Sequence, residues 1–87
     1  MKLKLKGTEA AAGVNTGAAS NVGSATLVRV TNSGSSSHLV TLEEAGGTDI
    51  GTFTLSGGAT EYVDKAPTDK IFAANAEIKL VSVAFYS

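Results

Sequence analysis

Short runs of alternating apolar and polar residues, separated by clusters of Gly, Ser and Asn, fill the chain from residue 26 to residue 86. Runs of this length, rich in β-branched and aromatic residues and bounded by turn-forming residues, are typical of β-strands. The alternation places Val28 and Val30 on one face of an extended segment and Arg29 and Thr31 on the other. The pattern predicts strands at residues 26–31, 38–43, 50–55, 60–65, 70–73 and 78–86.

The spacing of these strands indicates the fold class. Many short strands about ten residues apart, without a convincing amphipathic helix, favour two packed antiparallel sheets. We therefore predict an all-β fold, a small antiparallel β-sandwich of Ig-like or jelly-roll-like type. The connections at residues 44–49 and 56–59 are short, which favours antiparallel neighbours in a meander or part of a Greek key. Pro67, the only proline, suits a corner where the chain changes sheets.

The apolar positions of the predicted strands give a candidate core. Both faces of the last strand are partly apolar, with Ile78 and Leu80 on one and Val81, Val83 and Phe85 on the other, so this strand needs cover on both sides. We assign the second of these faces to the core. The predicted core residues are Val28, Val30, Val40, Leu42, Phe53, Leu55, Val63, Ile71, Val81, Val83 and Phe85.

The first 24 residues differ in amino-acid composition from the rest of the chain. They are predicted to form an N-terminal strand and a flexible, extended arm, ahead of a sandwich domain at residues 25–87. Residues 8–24 are nearly all Ala, Gly, Ser, Thr and Asn, with Val14 and Val22 as the only larger apolar side chains. Such a segment buries little surface to offset the entropy of ordering. Two interpretations remain open: a flexible connector, or an arm that becomes ordered on a partner.

The first strand carries the candidate partner-binding residues. Its lysines lie on one face of an extended chain and its leucines on the other, which predicts a half-buried strand with a basic outer face. The lysines can then face an acidic partner while the leucines become buried. An exposed edge strand can also pair with a neighbouring chain, unless its lysines serve only to prevent that pairing. The alternative is therefore a protective edge strand followed by a linker. The candidate residues are Lys2, Leu3, Lys4, Leu5 and Lys6.

The composition argues against several classes of function. The chain has one histidine, no cysteine and no ligand spacing typical of a metal site, so we expect no enzyme activity, no metal and no cofactor. Ser35, Ser36 and Ser37 precede His38, but no oriented carboxylate completes a catalytic triad. The net charge of −1 argues against a dedicated nucleic-acid binder. The alternating Lys and Leu residues at the start lack the continuous apolar region of a signal peptide or a membrane span, so we expect a soluble product with no membrane role.

Four segments carry a resemblance to a known group of proteins: residues 25–32 (ATLVRVTN), 50–55 (IGTFTL), 61–73 (EYVDKAPTDKIFA) and 81–85 (VSVAF). Together they resemble small virion structural proteins of tailed bacteriophages, especially marine ones, which are short β-sandwich proteins on the outside of the head. The resemblance implies a capsid decoration or cement protein that binds the major capsid protein in many copies, as a homo-oligomer or around a symmetry axis. It also implies synthesis in the host cytoplasm and a place on the outer capsid surface.

A second class of function stays open at this point. A receptor- or glycan-binding module of a phage tail or fibre is also a small β-domain, and it works through exposed aromatic or polar clusters on loops. Here the loops are mostly Gly, Ser and Ala, and Trp is absent. The aromatic residues with a polar group are Tyr62 and Tyr86. A decoration protein is therefore the first expectation and a tail or fibre module the alternative.

Overall fold

The computed structural model describes residues 1–86 of the chain, and Ser87, the last residue of the predicted sandwich domain, lies outside the described residues. About 51% of the described residues are in strands, and one 3-10 turn at Thr16–Ala18 interrupts the N-terminal segment. The strands are β1 (Lys2–Leu5), β2 (Ala10–Ala11), β3 (Leu27–Asn32), β4 (His38–Glu43), β5 (Asp49–Leu55), β6 (Thr60–Asp64), β7 (Lys70–Ala73) and β8 (Ile78–Tyr86).

The strands form two antiparallel sheets, which confirms the predicted all-β sandwich. The five-stranded sheet has the order β1-β8-β3-β6, with β2 also paired to β8, and the three-stranded sheet has the order β5-β4-β7. Strands β1 and β2 lie along the same edge of β8, because β1 pairs with residues 83–86 and β2 with residues 79 and 80. The long strand β8 therefore has neighbours on both edges, with β3 on the second one.

The chain changes sheets more often than its short connections indicate. The predicted antiparallel pairing of β4 with β5 is confirmed, with Val40 opposite Phe53. The predicted pairing of β5 with β6 is wrong, because β6 pairs with β3 in the other sheet. Gly57 allows this crossing, since a Cβ there would lie only 2.5 Å from the Ser35 carbonyl carbon in the loop between β3 and β4. The change of sheet near Pro67, between β6 and β7, is confirmed.

The core lies between the two sheets and is formed by small β-branched and aliphatic residues. On β8 the core face carries Ile78 and Leu80, so the assignment of Val81, Val83 and Phe85 to the core was reversed. Val81 and Val83 are buried on the opposite face of the sheet, and Phe85 is exposed. Leu42, Phe53 and Val63 are only partly buried against the core. The predicted residues that are buried there are Val28, Val30, Val40, Leu55 and Ile71.

The segment between β1 and β3 follows the edges of both sheets. Its backbone bonds to β8 through the Ala12 amide, which donates to the Ile78 carbonyl at 2.8 Å. It then reaches β7, where the Ser20 and Ile71 amides donate to each other's carbonyls at 3.1 and 2.8 Å. Its weakly apolar composition thus coincides with backbone pairing to both sheets, and Ala12, Ala25 and the partly buried Val22 supply its side-chain contacts with the core.

Candidate docking face and sheet edges

Strand β1 brings the predicted partner-binding residues to one edge of the five-stranded sheet. It pairs antiparallel with the end of β8, with Lys2 opposite Tyr86, Leu3 opposite Phe85 and Leu5 opposite Val83. The Lys6 amide extends the ladder by donating to the Ser82 carbonyl at 2.9 Å. Every residue of β1 has an exposed side chain. The strand is therefore held by its backbone, and its side chains are available for contact.

The leucines of β1 contribute to an apolar patch on the outer face of the five-stranded sheet, the face turned away from the three-stranded sheet. We define the outer apolar patch as Leu3, Leu5, Tyr62 and Phe85, whose exposed fractions are 39%, 67%, 42% and 40%. The rings of Tyr62 and Phe85 meet edge to face, with centroids 4.8 Å apart. Large apolar side chains gathered on one face of a small domain are typical of contact surfaces.

Val81 and Val83 support this patch from beneath. Both are almost completely buried although they lie on the outer face of β8. Leu3, Leu5 and Arg29 line a shallow depression above Val81, and the guanidinium of Arg29 lies 3.5 Å from the Glu9 carboxylate at its rim. The patch thus rests on a packed layer, so its shape is fixed by the sheet.

The lysines of β1 lie on the other side of the strand. Lys2 and Lys4 are opposite Tyr86 and Ala84, and the Lys2 ammonium is 6.0 Å from the centre of the Tyr86 ring, at the outer limit of a cation–π contact. Within residues 1–86, neither of the ion pairs involves Lys2, Lys4 or Lys6. The structure therefore separates the five predicted residues into an apolar set on the outer face and a cationic set behind it.

Sequence reasoning missed Tyr62 and Phe85 as members of the patch. Tyr62 lies on the edge strand β6, opposite Arg29, and Phe85 was assigned to the core. The available signal was the alternation of Glu61, Tyr62 and Val63, which places Tyr62 on the face opposite Val63. Only the pairing of β1 with β8 reveals that this face and the leucines coincide.

The opposite edge of the same sheet is formed by β6. Its described neighbour is β3, and no other strand within residues 1–86 pairs with its second side. The sandwich opens beside this edge into a pocket lined by Leu42, Gly51, Thr52, Phe53, Glu61, Tyr62 and Val63. Glu61 supplies the charged group of this otherwise apolar and neutral lining.

Polar clusters elsewhere have structural partners. Nε2 of His38 lies 2.7 Å from Oε1 of Glu77, which ties β4 to the connection before β8. Asn32 is completely buried, and its amide nitrogen donates to the Ser36 and Leu55 carbonyls at 2.7 and 2.9 Å. Residues 1–86 contain no group of three or more His, Asp or Glu side chains placed to hold a metal ion.

Glu43 is the exception among the buried polar side chains of the described residues. It is completely buried; its Oε2 accepts a hydrogen bond from the Thr16 hydroxyl at 3.2 Å, and its Oε1 has no hydrogen-bond partner. The contact joins the 3-10 turn of the N-terminal segment to β4 of the three-stranded sheet. It forms a link between sheet and segment rather than a reaction centre.

No helix within the described residues is both long and apolar enough to cross a bilayer. Comparison with known proteins gives no match: neither a protein-family model, nor a curated protein, nor a solved structure is similar to the chain. The class that the structure itself defines is a two-sheet β-sandwich with a basic edge strand and an apolar outer face.

Proposed function

We propose that this protein is a non-enzymatic structural virion protein that decorates a phage capsid by docking its outer apolar patch onto the lattice of the major capsid protein. The single observation that carries the proposal is the grouping of four large, exposed apolar side chains on one face of a small sandwich. The resemblance of residues 25–32, 50–55, 61–73 and 81–85 to virion proteins of tailed phages suggests the partner.

The energetics of such a surface suit a repeated lattice. Burial of apolar area contributes about 25 cal/mol per Å² before the costs of association are subtracted, so a patch of a few side chains binds weakly as a single copy. Many copies on one shell, linked to one another, raise the effective affinity without any new contact to the shell. Ion pairs at the rim, made by Arg29 or the lysines of β1, contribute mainly to salt dependence.

The test compares binding to capsids that have been stripped of decoration. Leu5→Glu places a charge in the outer apolar patch at its most exposed position, and we expect binding to fall by tenfold or more, because a charge must then be desolvated. Leu39→Glu is the matched control, since Leu39 is 45% exposed on β4 of the other sheet. Equal binding by both variants and the parent contradicts the docking face.

The alternative, a receptor- or glycan-binding module of a tail or fibre, is favoured by one observation: Tyr62 and Phe85 expose aromatic rings that a sugar face can stack on. Position and copy number in purified particles separate the two functions. Hundreds of copies on the head support decoration, whereas a few copies at the tail, with glycan binding lost in Tyr62→Ala, support the alternative.

A further inference from the structure

We propose that copies of this protein join head to tail, with the β1 edge of one copy adding to the β6 edge of the next to form a continuous sheet. The contact concerns how copies meet one another and does not depend on the proposed capsid partner. Both edges belong to the five-stranded sheet, and within residues 1–86 each has a strand on one side only.

The strand directions allow this addition without turning the sheet over. Successive neighbours in the order β1-β8-β3-β6 are all antiparallel, so β1 and β6 run in opposite directions within one copy. A second copy placed beside the first in the same orientation therefore brings its β1 antiparallel to β6. Main-chain hydrogen bonds then supply much of the contact, as in other cases of strand addition.

The side chains of the two edges match in one register. On β6, Tyr62 points to the outer face and Glu61 to the face that carries the core, and on β1 Leu3 and Lys4 alternate in the same sense. Placing Lys4 opposite Glu61 puts Leu3 opposite Tyr62. Residues directly opposite each other on antiparallel strands are the pairs that contact most closely, so this register joins an ion pair to an apolar pair.

The pocket beside β6 fits a lysine side chain. Its lining is mostly apolar, from Leu42, Phe53 and Val63, and its charged residue is Glu61. Lysine buries its aliphatic stem along apolar surface and keeps its ammonium at a polar site. Lys4 of an added β1 lies on the same face as this pocket, so its stem can cover Phe53 while its ammonium reaches Glu61.

The same lysines disfavour pairing of β1 with another β1. When two β1 strands pair antiparallel about a two-fold axis, the lysines of both strands lie on one face of the sheet and the leucines of both on the other. Every such register therefore places lysine beside lysine and leucine beside leucine. Like charges directly opposite on neighbouring strands are destabilising. The basic face of β1 therefore selects an acidic edge, and Glu61 makes β6 such an edge.

Head-to-tail contacts use two different surfaces, so they produce closed rings or open chains rather than simple dimers. Because the sheet is not turned over between copies, the outer apolar patch of every copy lies on the same side of the assembly. Leu3 of one copy then joins the Tyr62 and Phe85 side chains of the next.

Charge reversal at the two edges tests the contact by sedimentation velocity over a range of concentrations. We expect assemblies larger than a dimer for the parent protein. Lys4→Glu and Glu61→Lys should each weaken self-association by about tenfold or more, because each places like charges opposite each other. The double variant Lys4→Glu with Glu61→Lys should restore it to within about threefold. Glu44→Lys, on the exposed turn after β4, is the control with the same charge change as Glu61→Lys and should have no effect.

Cross-linking tests the register in the same protein. Because the chain has no cysteine, a variant with both Leu3→Cys and Tyr62→Cys should form a ladder of disulfide-linked oligomers on oxidation, whereas each single variant can form only a dimer.

A monomeric parent at millimolar concentration, or a double charge variant that stays dissociated, overturns the proposal. Loss of self-association with Glu61→Lys but not with Lys4→Glu means that Lys4 is not the partner of Glu61, and this result also overturns the proposal. Capsid binding by Leu5→Glu is measured in a separate assay, so a negative result for one proposal does not contradict the other.

Discussion

At the scale of single residues, Lys65 is a lysine held at the corner after β6 with only 6% of its surface exposed. Its ammonium donates to the carbonyls of Ala66 and Asp69 at 3.1 and 2.8 Å. The Asp69 carboxylate in turn accepts from the Ala66 amide, so the corner is closed by its own polar groups. Burial lowers the pKa of Lys65 below its usual 10.5, and the Asp69 charge opposes part of that effect.

This lowered pKa predicts a stability change at alkaline pH. Between the folded pKa of Lys65 and its unfolded value of 10.5, the unfolded chain binds more protons than the folded chain, so stability rises with pH across that window. Below the folded pKa the cost of the buried charge is fully present. In urea unfolding, the free energy of unfolding of the parent should therefore increase relative to that of Lys65→Met as the pH rises toward 10.5. Lys79→Met, at a half-buried position on β8 whose ammonium makes an exposed hydrogen bond to the Ala76 carbonyl, is the control and should show no comparable gain.

Because one face of β8 lies in the core and the other faces outward, truncating a side chain on each face should lower the free energy of unfolding by different amounts. Ile78 is completely buried on the core face of β8, so Ile78→Ala should lower the free energy of unfolding by about 2–5 kcal/mol. Phe85 is 40% exposed and contacts the Tyr62 ring, so Phe85→Ala should cost only about 1 kcal/mol. Urea denaturation measures both. Equal losses would mean that Phe85 is packed as a core residue after all.

At the scale of elements, the N-terminal segment divides into two parts with different expected contributions. Removing residues 1–6 takes away β1, whose side chains are exposed, and should lower stability modestly. A chain that begins at Ala25 also loses the backbone bonds to Ile78 and Ile71 and the buried Ala12 side chain. At about 0.5–1.5 kcal/mol per hydrogen bond, this loss should reach roughly 3 kcal/mol or more.

Urea midpoints of the two shortened chains and the parent measure these contributions. A chain from Ala25 that is as stable as the parent would identify residues 8–24 as a connector. A large loss on removing residues 1–6 alone would instead place the stabilising contacts in β1.

Strand positions were accessible from the sequence because they depend on local alternation. The predicted strands at residues 38–43, 70–73 and 78–86 coincide with β4, β7 and β8. Pairing was less accessible, because the four residues between β5 and β6 can close a hairpin or cross between sheets that pack about 10 Å apart. Which of these occurs depends on the burial of distant strands.

The candidate site was predictable only in part for the same reason. The alternation in β1 predicted a half-buried strand with a basic outer face. The structure keeps the lysines and leucines on opposite faces, but every residue of β1 is exposed, and the leucines rather than the lysines lie on the outer face. Both faces of β8 are apolar, however, so alternation alone could not decide which one meets the core. Leu3 and Leu5 lie beside the face of β8 that is turned away from the core, and the pairing of β1 with β8 brings them next to Phe85.

At the scale of the whole molecule, the domain is flat, with extents of 34 × 31 × 20 Å. The short dimension is consistent with two sheets stacked about 10 Å apart. A flat domain offers much of its surface on two broad faces, and one of these carries the outer apolar patch. This shape suits the proposed docking of the outer apolar patch on a larger surface and the proposed addition of sheet edges between copies.

The pairing of Lys2 with Tyr86 also determines how the fold responds to mechanical load. A tension applied between these two residues opens the β1–β8 ladder one pair at a time, from that end, so each hydrogen bond resists alone. A shear along the strands instead loads all the bonds of the ladder together. On the proposed capsid, this protein should therefore resist expansion of the shell best when its strands lie parallel to the direction of stretch.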